Sequence, residues 1–100
     1  MRGIAIDQAA AALDRGAAVI DVREPAEYRT GHLPRAVNIP MAQLTSRLGE
    51  IDRNRPVLVV CASGNRSGVM VEVLTAAGFD AINVAGGTSA WIRAGRPIEK

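Results

Sequence analysis

The chain has 100 residues, 48% hydrophobic and 22% charged, which is enough for one globular domain spanning residues 1–100 and too few for two. Its net charge is only +2, its arginines are scattered and aromatics make up 3%, so it lacks the clustered charge and stacking rings of a nucleic-acid surface. No segment approaches the roughly 20 apolar residues that span a bilayer, and the single cysteine can form neither an internal disulfide nor a metal site of the usual Cys/His spacing.

Short apolar runs alternate with helical stretches along the chain. "GIAI" (3–6) predicts a strand, after which Asp7 is placed to cap a helix through "QAAAALDR" that ends at Gly16. "AAVIDV" (17–22) is continuously apolar, as a strand buried on both faces is. Glu24-Pro25 marks a short helix start closed by Gly31, and "AVNIP" (36–40) is a brief strand stopped by Pro40. Apolar residues at 41, 44, 48 and 51 give helical spacing. "PVLVVC" (56–61) is the strongest strand and ends on the only cysteine. A helix over 67–78 follows, with Val69, Val73, Leu74 and Ala77 on one face, then a strand at 80–84 and a short helix over 86–95. This alternation predicts an α/β domain with a mostly parallel sheet of about five strands and helices on both faces.

In such sheets ligands bind beyond the carboxyl ends of the strands, where Cys61 falls. The following residues, Ala62, Ser63, Gly64, Asn65, Arg66 and Ser67, turn the chain into the next helix. Gly64 and Asn65 tolerate positive φ, so the amides here can curl inward as a nest and join the free N–H groups of the helix start. Both favour negative charge, and Arg66 adds a cation. A thiol so placed is expected to fall from about 8.5 into the range of roughly 3.5–7.5 and to be a thiolate at neutral pH. A lone cysteine after an apolar strand also suits a purely structural role, but such a residue needs no anion cradle. Four residues separate Cys61 from Arg66, where cysteine phosphatases have five. The smaller ring suits a single extra sulfur better than a phosphate.

Three motifs in order now resemble the rhodanese sulfurtransferase family: "VIDVREPAEYRTGHLPRAVNIP" (19–40), "VVCASGNRSGVMVEVLTAAGF" (59–79) and "NVAGGTSAW" (83–91). The resemblance covers nearly the whole chain. It implies a rhodanese-like fold and a two-step transfer in which Cys61 takes sulfur from a donor such as thiosulfate and passes it, as a persulfide, to an external thiol, a protein acceptor or cyanide. It implies no cofactor and no metal. Residues 62–67 would bind the donor and the persulfide. Alternatives are a non-enzymatic module for sulfur carriage or partner binding, and phosphatase or arsenate-reductase chemistry. Two positions depart from the family pattern. Arg35 stands where glycine is common, and Ala62 where thiosulfate-preferring members carry a second arginine.

Asp21 and Arg23 are expected to brace the loop, and His32 in "TGHLP" to order its own turn rather than to act as a base. Ser67 is read as bonding within the loop or capping the helix. Tyr28 and Trp91 are read as packing residues. A cytoplasmic location, without membrane or nucleic-acid partners, completes the expectation.

Overall fold

The computed structural model describes residues 2–100. Five strands form one sheet: β1 (Gly3–Ile4), β2 (Ala18–Asp21), β3 (Val37–Asn38), β4 (Val57–Val60) and β5 (Ala81–Val84). Their order is β1-β5-β4-β2-β3, and every pairing is parallel. The helices are α1 (Ile6–Asp14), α2 (Pro25–Arg29), α3 (Asn65–Ala76) and α4 (Gly87–Arg93). The fold is the α/β arrangement expected, a parallel sheet covered on both faces.

The period-two alternation of a strand explains how β4 feeds two cores. Val57, Val59 and Cys61 join one cluster with Met70, Val71 and Leu74 of α3, Leu44 and Ile51. Leu58 and Val60 join the other with Ala9 and Leu13 of α1 and Trp91 of α4. All four residues of β4 are buried, which is why its sequence reads as an unbroken apolar run.

From β2 the chain moves outward to β3; from β4 it moves the other way to β5. The strand order therefore reverses between β2 and β4, and the crevice beyond their carboxyl ends is the expected ligand position. Residues 61–67 leave β4 at that point, and residues 22–31 leave β2 beside it.

Four local expectations need correction. Cys61 follows β4 rather than ending it. α1 begins at Ile6 with Ala5 as its cap, the Ala5 amide donating to Gln8 Oε1 at 2.9 Å, so Asp7 lies inside the first turn. Residues 41–51 form 3₁₀ turns over Met41–Ser46 and Leu48–Glu50 instead of an α-helix. There the Ser46 hydroxyl donates to the Gln43 carbonyl, competing with the α-helical ladder. α3 starts at Asn65 and turns Ser67, Met70, Val71 and Leu74 inward, leaving Val69 53% exposed. Arg35, at the position where the family favours glycine, has φ +65. Its amide donates to Glu99 Oε1 and its guanidinium to the Leu13 carbonyl, both at 3.0 Å.

Candidate active site

Gly64 caps α3 with φ +105, the left-handed conformation that glycine adopts without a Cβ clash. The chain thereby folds back, and the Gly64 amide donates to Cys61 Sγ at 3.1 Å. One turn into α3, the buried Ser67 hydroxyl lies 3.3 Å from the same sulfur. Cys61 itself is 1% exposed, so it forms the floor of the loop.

The loop is held from behind by α4. The Thr88 and Ser89 amides donate to the carbonyls of Cys61 and Ala62 at 2.9 and 3.0 Å. Turning these carbonyls towards α4 leaves the opposite side of the loop to N–H groups. Gly87 makes the approach possible: a Cβ there would strike the Cys61 carbonyl and come within 2.7 Å of the Ala62 carbonyl carbon. Asn83 of β5 adds a side-chain brace, its Nδ2 donating to the Gly64 carbonyl at 3.2 Å while Oδ1 lies 2.5 Å from Ser67 Oγ.

Burial pushes the Cys61 thiol up, but the Ser67 hydroxyl and the amides of Ser67, Gly64 and Ser63 outweigh it and hold the thiol below its ordinary value. The cation expected to assist is paired elsewhere. Arg66 makes a bidentate contact with Glu27 of α2 at 2.8 and 2.9 Å. That contact lowers the Glu27 carboxyl from 4.5 to about 2 and holds Arg66 firmly protonated, with the Cys61 charge a lesser influence on it. Asn65 opens α3 between Gly64 and Arg66.

Asp21 and Arg23 form a buried bidentate pair with contacts of 2.8 to 3.1 Å. Arg23 also donates to the Gly31 carbonyl at 2.8 Å, so the pair braces the turn after α2 rather than the Cys61 loop itself. His32 belongs to that turn too. Its ring stacks on Tyr28 with centroids 3.7 Å apart, its Nδ1 lies 2.9 Å from the Tyr28 carbonyl, and its backbone pairs with Glu99. Tyr28 donates its hydroxyl to the Ala36 carbonyl at 2.6 Å, and the Trp91 indole donates to the Pro97 carbonyl at 2.8 Å.

Sequence reasoning missed Glu27, Asn83 and the α4 amides as parts of this site. Asn83 left a signal, as the one polar side chain inside the buried run "AINV". Glu27 left none, because its partner lies 39 residues away.

A sequence profile of the rhodanese-like domain matches residues 5–94. A sulfurtransferase from Allochromatium vinosum is 38% identical over 81 residues, which cover 80% of this chain and 76% of that protein. A putative sulfurtransferase of Bacillus subtilis, YtwF, is 37% identical over 73 residues, covering 73% of this chain and 71% of its own. Among solved structures, a rhodanese-related protein from Thermoplasma volcanium is similar with a TM-score of 0.93 at 33% identity, over 99% of this chain and 98% of that one.

Proposed function

The chain belongs to the rhodanese-like domain family, and from that premise we propose a sulfurtransferase that carries its sulfur as a persulfide on Cys61. The observation that supports this reading most directly is the convergence of the Gly64 amide and the Ser67 hydroxyl on Sγ, beyond the carboxyl end of β4. The Gly64 amide donates to this sulfur and the Ser67 hydroxyl lies within reach of it, which favours the anionic form, and the thiolate is the nucleophile.

With thiosulfate as donor, the thiolate attacks the outer sulfur. The sulfur–sulfur bond breaks and its electron pair leaves with sulfite. Cys61 then holds the transferred sulfur as a persulfide, with the negative charge on the terminal atom facing the loop amides. An external thiol or cyanide attacks that terminal sulfur and releases Cys61 as thiolate. Cys61 is the only cysteine in the sequence, so the acceptor comes from another molecule.

The donor's charge meets a cradle that is already balanced. Arg66 is engaged by Glu27, and residue 62 is alanine. A small dianion must displace the Glu27 carboxylate to gain Arg66, so the loop amides carry most of its recognition.

Mass spectrometry after separate incubation with thiosulfate and mercaptopyruvate tests the reading. The intact protein is expected to gain about 32 Da, one sulfur atom, from at least one donor. Cyanide should remove that mass, and Cys61→Ala should never acquire it. A wild-type mass unchanged by both donors would overturn the proposal.

A further inference from the structure

Ser67 has one hydroxyl proton and two acceptors within reach, Asn83 Oδ1 at 2.5 Å and Cys61 Sγ at 3.3 Å. The orientation of the Asn83 amide follows from its other end, where Nδ2 meets the Gly64 carbonyl, a group that can only accept. Oδ1 therefore faces Ser67 as an acceptor, and the Ser67 hydroxyl donates to it in the arrangement seen. When Cys61 is a thiol, its own S–H can donate to Ser67 Oγ and complete the chain. A Cys61 thiolate draws the Ser67 proton to itself, and Oδ1 of Asn83, only 5% exposed as a residue, then loses its partner.

Loading reverses the competition. In the persulfide the negative charge sits on the terminal sulfur and Sγ becomes a neutral, weak acceptor. The Ser67 proton is then free to return to Asn83. We propose that Asn83 is a positioning residue that reclaims the Ser67 proton as sulfur is loaded, and so favours the persulfide form of Cys61 over the bare thiolate. This inference deepens the sulfurtransferase reading and rests on it for its purpose.

The charged groups around this relay are Arg66 of α3, its partner Glu27 of α2, and the buried Asp21–Arg23 pair at the end of β2. β5 faces the relay with Asn83, and α4 holds the Cys61 carbonyl through the Thr88 amide. Substitution at Asn83 leaves all of these charges in place.

The test is the pH dependence of Cys61 alkylation by iodoacetamide, a neutral reagent. Asn83→Leu, close to asparagine in shape, removes the competing acceptor. Its alkylation midpoint is expected to fall by roughly half a pH unit, about a threefold larger thiolate fraction at a fixed pH below it. Were Asn83 only a brace for Gly64, the loosened amide cradle would raise the midpoint instead, and that outcome overturns the proposal. Ser67→Ala should raise the midpoint, and adding Asn83→Leu to it should produce no fall.

A second measurement uses the unaltered protein. The Asn83 side-chain carbonyl carbon, followed by NMR, should titrate with Cys61 and return to its low-pH position when Cys61 is loaded with inorganic polysulfide. Polysulfide loading requires no thiosulfate turnover, so failure of this inference and failure of the proposed activity are distinguishable. A carbonyl signal that ignores the titration, or a loaded form that resembles the thiolate, overturns the proposal.

Discussion

Two bidentate arginine–carboxylate pairs lie near the carboxyl ends of β2 and β4, and they differ sharply in burial. The Asp21–Arg23 pair is closed to solvent, with side chains 0% and 6% exposed, and its spare donor satisfies the Gly31 carbonyl. The Glu27–Arg66 pair is also bidentate, through Nη1 and Nη2 where Arg23 uses Nε and Nη2, but it leaves both side chains 37% exposed. Removing one partner of the first strands a charge where water cannot reach it. Removing one partner of the second returns a charge to solvent. The same chemistry thus serves as a fixed brace in one place and as an exchangeable contact beside Cys61 in the other.

The largest expected effect comes from the buried pair. Asp21→Ala should lower the unfolding free energy in urea by about 3–5 kcal/mol, because Arg23 is left buried and unpaired. A loss under about 1 kcal/mol would place this pair in the same class as the exposed one. Glu27→Gln should change stability by less than about 1 kcal/mol, since glutamine keeps the oxygen that accepts from the Glu24 amide at 3.1 Å. Its consequence should be kinetic instead. With Arg66 freed, KM for thiosulfate is expected to fall about threefold to fivefold, a magnitude equivalent to the weak pair it replaces. Alkylation by iodoacetamide should scarcely change. An unchanged KM, or equal changes with both reagents, would show that Glu27 does not compete for the donor.

The smallest effect is on acid stability. Arg66 lowers the Glu27 carboxyl from 4.5 to about 2 in the folded protein. A carboxyl depressed by folding contributes stability above its unfolded value and loses it as pH falls from about 4.5 towards 2. Solvent screening keeps that contribution to at most about 1 kcal/mol. Wild type and Glu27→Gln should therefore differ by a constant amount near neutral pH and converge as pH approaches 2. A gap that persists undiminished at that limit would place its origin outside the ion pair.

How much of the site could be read beforehand varies with sequence distance. Cys61 and residues 62–67 were legible because a strand, a glycine turn and a helix start follow one another without interruption. The inward face of α3 and the 3₁₀ geometry of residues 41–51 were not legible, because helical periodicity alone cannot say which face meets the sheet, nor whether a serine hydroxyl will tighten a turn to 3₁₀ geometry. Arg66 lies in the loop the sequence predicts, but nothing local announces its partner, 39 residues away.

By itself the sequence determined what local physics controls: a parallel sheet, from continuous apolar runs alternating with helical stretches, and a lone thiol delivered to the ligand end of the strongest strand. Only the tertiary structure decided what surrounds that thiol. The contacts of Arg66 with Glu27, of Ser67 with Asn83, and of the Cys61 and Ala62 carbonyls with α4 span 39, 16 and 27 residues. Hydrogen bonds and ion pairs depend on the distance between atoms in space, and packing α2, α3, α4 and β5 around the end of β4 sets those distances.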